Sequence, residues 1–166
     1  MEILLDNDIT QIVKAKFNED ILQAETVRDL LTLTVKADSV INIIEFLFQH
    51  STLKFQFLTD LFAVHYPELN AISLVYQLHS LENNKRIRIK TYLPEQNPEI
   101  KTLTGVFSGA NWMERETYDF FGVKFTGHPD LKRILNVDDM IIFPLRKEFP
   151  LEDQTREDKN DKMFGR

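Results

Sequence analysis

The stretch from Ala110 to Leu135 restricts what this chain can become more than any other part of it. Asn111 is placed to cap a helix through its side-chain oxygen. Glu114 stands three residues on, where a capping-box carboxylate reaches back, and Gly122 supplies a left-handed stop. The spacing predicts a helix over Trp112 to Phe121, with Met113, Thr117, Phe120 and Phe121 recurring on one face. Glu114, Arg115, Glu116 and Asp119 make that helix denser in charge than a buried one tolerates, so something must pair with them. A turn at Thr126-Gly127, His128-Pro129 and the basic pair Lys132-Arg133 follow.

The rest of the chain reads as one α+β domain. Asp8 is expected to cap a first helix whose Ile9, Ile12, Val13 and Phe17 share a face. Leu31, Leu33 and Val35 alternate with Thr32, Thr34 and Lys36 as in a half-buried strand. Asp38 or Ser39 caps a second helix with Val40, Ile43, Ile44 and Leu47 facing a core, widened by Ile41 and Phe48. Alternation predicts further strands at Lys54–Phe57, Ile72–His79 and Arg86–Leu93. Asn83-Asn84 between the last two suits a tight antiparallel turn, because Asn tolerates positive φ. Pro94 and Pro98 end the sheet. The pattern is that of a two-layer domain, helices on a mixed or largely antiparallel sheet, spanning residues 1–151. Phe143-Pro144 and Phe149-Pro150 impose an extended C-terminal arm. Nine of the 15 residues from Glu152 to Arg166 are charged, which makes 152–166 a tail expected to be disordered in isolation.

Composition removes whole classes of function. With no cysteine among 166 residues, disulfides, thiolate catalysis and thiolate-held zinc or iron–sulfur sites are excluded. A net charge of -6 opposes general nucleic-acid binding. The apolar runs are too short to span a bilayer, and the acidic start lacks a basic signal-peptide region, so the chain is expected on the cytoplasmic side. The five glycines form neither a dinucleotide turn nor a phosphate loop, and the four histidines lack ligand spacing.

Glu114 and Glu116 are no hydrolytic dyad, since residues two apart on a helix point about 200° apart. His128, extended before Pro129, reads best as a hydrogen-bonded turn residue. Lys132, Arg133, Arg146 and Lys147 lie among apolar residues, a mixture suited to acidic groups of a partner. Arg86, Arg88 and Lys90 read as the ordinary polar face of a sheet.

Glu114-Arg115-Glu116, Tyr118-Asp119, Phe121-Gly122, Phe125, Gly127-His128-Pro129, Leu131 and Arg133-Ile134-Leu135 resemble, in register, the signature of the thirty-kilodalton subunit family of the respiratory NADH:quinone oxidoreductase, complex I. The resemblance continues through Leu58-Thr59-Asp60, Tyr66-Pro67, the strands around residues 75–90, and Pro144–Leu151, covering roughly the last two thirds of the chain. It implies a non-catalytic structural subunit of the peripheral arm, on the cytoplasmic side of a bacterial inner membrane. It also implies no cofactor in this chain, flavin and iron–sulfur clusters being held by partners. Those partners would be the large hydrogenase-like subunit of the quinone pocket and adjacent iron–sulfur subunits. Arg115, Glu116, Asp119, His128, Arg133, Arg146, Lys147 and Phe149 are the expected interface. The alternatives are the equivalent subunit of a related membrane-bound hydrogenase or quinone-linked dehydrogenase and, in another class, a hydrolase using Asp119 and His128. Three departures from the usual pattern stand out: Ile142-Phe143 where relatives carry Gly-His, Met140 where tryptophan is common, and His65 in place of an acid.

Overall fold

The computed structural model describes residues 5–149. A mixed five-stranded sheet, ordered β1-β2-β5-β4-β3, carries three helices packed into one core, as an α+β reading requires. The elements of the main layer are α1 (Asp6–Phe17), β1 (Ile21–Val27), β2 (Leu30–Val35), α2 (Val40–Gln49), β3 (Phe57–Tyr66), β4 (Ala71–Ser80) and β5 (Lys85–Pro94). They are followed by β6 (Glu99–Lys101), α3 (Ala110–Phe121) and β7 (Lys124–Thr126).

The apolar stripes land where helical spacing places them. Ile9 and Val13 of α1, and Val40, Ile43, Ile44 and Leu47 of α2, are fully buried against Leu33, Ile72, Leu74, Leu78, Ile87 and Ile89. Asp8 is not the cap of α1, which starts at Asp6. It lies inside the first turn, where its Oδ2 accepts the Leu5 N–H at 3.1 Å. The β4–β5 hairpin closes through Asn83-Asn84 with Ser80 opposite Lys85, and Asn84 takes φ 49°.

The strand expected at Lys54–Phe57 lies elsewhere. Lys54 sits at φ 47° and Phe55 drops fully into the core, so the ladder begins at Phe57 and runs to Tyr66, with a bulge at Leu58/Asp60. The edge strand β1 buries almost nothing, which removes the alternation that would announce it. Its hairpin with β2 turns on Arg28-Asp29, both at positive φ, rather than on an Asn-Gly pair. β2 and β5 pair in parallel, making the sheet mixed. Beyond Pro94 the chain is not finished with strands: β6 and β7 form a separate two-stranded parallel ladder beneath α3. The tail expected at 152–166 lies outside the described residues.

Candidate docking site

Helix α3 is the centre on which the C-terminal arm is built. It begins at Ala110 with Gly109 in the capping position, so neither Asn111 nor Glu114 caps it. Glu114 is instead a fully buried strut, accepting from Thr102 Oγ1 at 2.5 Å and from the Leu103 N–H at 2.6 Å. Burial pushes its carboxyl up to about 7, against the opposing pull of those two hydrogen bonds. Tyr76, also fully buried, has its phenol pushed up first by burial and then by the charge of Glu114. Gly122 ends the helix at φ 76°, its N–H donating to the Tyr118 carbonyl at 2.8 Å, as the sequence required.

The other helix charges find their partners within the chain. Arg115 donates from Nε to the Lys132 carbonyl at 3.2 Å and from Nη2 to the Arg133 carbonyl at 3.0 Å, with Trp112 5.2 Å from its guanidinium. Asp119, fully buried, accepts from Arg133 Nη1 at 2.8 Å and from the N–H groups of Ile134, Leu135 and Asn136. Asn136 Nδ2 adds a fifth bond at 3.0 Å. Burial alone would raise its pKa, but the bonds from Asn136, Arg133 and Leu135 outweigh it and hold the carboxyl far below the usual range. Arg133 further donates to the carbonyls of Asp119, Met140 and Ile142. Expected to meet a partner's carboxylate, Arg133 is an internal strut. A charge this deep is held only when paired, and here one Asp–Arg pair winds residues 133–142 around the helix.

Further along, the arm crosses the end of α3. The Leu145 N–H donates to the Phe120 carbonyl at 3.2 Å and Arg146 Nε to the Phe121 carbonyl at 2.8 Å, satisfying the last-turn acceptors with a cation. The ring of Phe143 lies against Gly122, 6.3 Å from Tyr118 and within 5.0 and 5.3 Å of the Arg146 and Arg133 guanidinium groups. The Phe149 N–H closes a turn on Arg146. Lys147 donates its backbone N–H to His65 Nδ1 at 3.0 Å, and His65 Nε2 lies 3.1 Å from Glu95 Oε1. The departure at His65 thus changes the pairing at the strand end into a latch between arm and sheet.

His65, Glu95 and Glu148 converge as a metal site would. The Lys147 bond, however, needs the Nδ1 lone pair, so the neutral ring keeps its proton on Nε2, where a metal would have to bind. His128 is the turn residue expected, bonded to the Asn111 carbonyl at 3.2 Å and to the Asp130 N–H at 3.1 Å.

The structure therefore gathers Arg115, Asp119, Arg133, Arg146 and Phe149 into one framework, while Glu116 and Lys147 stand exposed on it and His128 braces the other end of the helix. Sequence reasoning missed the surface this framework presents. Trp112, Leu135, Val137 and Ile141 are 59%, 66%, 63% and 92% exposed, and Ile141 lines an open groove of about 530 Å³ with Tyr118, Leu131, Met140 and Phe143. The available signal was their size in a segment without core periodicity.

Residues 33–155 match the family described as respiratory-chain NADH dehydrogenase, 30 Kd subunit. The C subunit of the NADH-quinone oxidoreductase of Geobacter metallireducens is 41% identical over 147 residues, covering 87% of this chain and 90% of its own. A C-type subunit of the Rhizobium meliloti NADH-quinone oxidoreductase is 44% identical over 123 residues, 74% of this chain and 67% of its own. Among solved structures, a chain of the membrane-bound sulfane sulfur reductase, an archaeal respiratory membrane complex, superposes with TM-score 0.75 at 25% identity, covering 87% of this chain and 85% of that one. A trypsin-resistant fragment of Nqo5 superposes with TM-score 0.64 at 26% identity, covering 75% and 98%. The signature residues that wind the arm onto α3 thus lie within a matched span, and the chain belongs to the 30 kDa subunit family of respiratory-chain NADH dehydrogenases.

Proposed function

We propose that the chain is the non-catalytic docking subunit of a proton-translocating NADH:quinone oxidoreductase, seated on the cytoplasmic side of the membrane. In this reading it packs against the large hydrogenase-like subunit of the quinone pocket and the adjacent iron–sulfur subunits. The observation that carries it is an apolar surface, Trp112, Leu135, Val137 and Ile141, raised on a scaffold fastened by buried charge. Large apolar side chains held rigidly in water pre-organise an interface, because little entropy remains to be lost when a partner covers them. Glu116, Lys132 and Lys147 of the same helix and arm are exposed, charged groups of the kind that border an interface.

Flavin and clusters belong, in this proposal, to the partners. No helix among the described residues is long and apolar enough to cross a membrane, which fits a peripheral seat. The hydrolase reading loses its base: all five donors around Asp119 stabilise its ionised form and leave it no free lone pair to take a proton.

A second reading, the equivalent subunit of a related membrane-bound complex, draws support from the likeness to the sulfane sulfur reductase chain. Affinity purification of the full-length chain from native membranes separates the two by the subunits that come with it. Ile141→Glu should leave the free domain's melting point in place and abolish that co-purification. Full recovery of the complex with Ile141→Glu would refute the docking surface.

A further inference from the structure

Among the described residues, α1, α2 and α3 pack into one core on one face of the sheet. On the other, β5 presents Arg86, Arg88, Lys90 and Tyr92. In register beside them lie Thr32 and Thr34 of β2, Gln77, Val75 and Ser73 of β4 and, one strand further, Phe62 and Val64 of β3. A sheet face left to water turns polar residues outward. This one also carries apolar residues among its polar ones: Val75 is 5% exposed, and Phe62 and Val64 are half-buried. Together with Arg88 and Lys90 they line a depression of about 310 Å³.

The cations in it are set, yet not neutralised. The Lys90 ammonium lies 5.3 Å from the Tyr66 ring and 4.7 Å from the Tyr92 ring, held by π faces rather than by a carboxylate. Arg88 Nε is buried without a hydrogen-bond partner among the described residues. Buried donors are normally satisfied, and an arginine fork matches a carboxylate in two parallel bonds. Among the described residues on this face, Glu25 and Asp60 are the acids in register with three cations, although the chain as a whole carries -6.

We propose that this helix-free face is a second docking surface, separate from the arm, for an apolar segment of a neighbouring polypeptide bearing an acidic side chain. Arg88 takes the carboxylate, Lys90 flanks it, and Phe62, Val64 and Val75 receive the apolar residues around it. The proposal rests on the chain working inside a larger assembly of different polypeptides, but it uses none of the arm's residues.

The test is site-specific photo-crosslinking of the full-length chain in native membranes, with p-benzoylphenylalanine replacing Phe62 in one preparation and Ile141 in another. The expected result is an adduct from position 62 to a different polypeptide, mapped to a peptide with an Asp or Glu among apolar residues. Arg88→Glu should cut that adduct at least tenfold and leave the position-141 adduct intact. Should Arg88→Glu not fold, Arg88→Gln must show the same selective loss. A position-62 adduct to a second copy of this chain or to its own tail, an adduct indifferent to both Arg88 variants, or no adduct at 62 while 141 cross-links would overturn the proposal. Silence at both positions would overturn the arm reading with it.

Discussion

Gly122 meets two demands at once, and either alone would restrict it. Its φ of 76° disfavours any side chain, and a Cβ there would sit 2.5 to 2.7 Å from the Phe143 ring. Gly122→Ala should therefore cost about 1–3 kcal/mol in the isolated chain, and adding Phe143→Ala should return only the steric part, a comparison that chemical denaturation can make. Arg133 offers a sharper contrast. Breaking its buried pair with Asp119 by Arg133→Glu should cost about 3–5 kcal/mol, whereas Lys147→Glu at an exposed position should stay within about 0.5 kcal/mol; equal melting points for the two variants would contradict the strut. At Glu114 the folded carboxyl titrates near 7 against an ordinary 4.5. The folded state thus binds a proton that the unfolded chain releases, so the stabilisation is complete below about 4.5 and lost as pH rises through about 7. Glu114→Gln should flatten that part of the stability profile, and a wild-type profile no steeper than the mutant's would refute the shift. Asp119, depressed, works the other way: its contribution is present at neutral pH and disappears in acid, below the ordinary carboxylate range.

At the scale of elements, irregular segments are held by single side chains. Asn83 in the β4–β5 turn donates to the Thr52 and Leu53 carbonyls at 2.8 and 3.1 Å and to Ser80 Oγ at 3.0 Å, pinning the loop after α2 to the hairpin. His65 does the same for the arm, joining the end of β3 to Lys147. His65→Ala should leave the sheet's amide protection unchanged while the Lys147 amide exchanges at least tenfold faster, because only the arm loses its acceptor. Uniform loss of protection across the sheet would make His65 a core residue rather than a latch. Buried carboxylates and guanidinium groups replace periodic apolar residues in α3, which explains why its charge density coexists with full burial.

For the whole molecule, the separation of two surfaces has a measurable consequence. If the apolar arm and the basic sheet face serve partners while the core is self-sufficient, the washed, isolated chain should fold cooperatively, carry no stoichiometric flavin or iron, and neither bind NADH nor reduce a quinone analogue. Stoichiometric flavin or iron in such a preparation would end the non-catalytic reading.

The apolar periodicities of α1, α2, β2, β4 and β5, the Asn83-Asn84 hairpin and the Gly122 stop were legible in the sequence, because each depends on residues within a few positions of one another. The signature around α3 was legible too, as a crowd of charges demanding partners. Which partners these were depended on contacts between distant parts of the chain. Asp119 meets donors 14 to 17 residues away, and His65 meets Lys147 82 residues away. Neither spacing leaves a periodic trace, and a buried arginine and a docking arginine are written identically in sequence. Only tertiary structure decided that Arg133 fastens the arm and that Ile141 and its neighbours remain uncovered. It also left Arg88 Nε buried without an acceptor among the described residues, because burial and pairing are properties of the packed chain and not of any local run of residues.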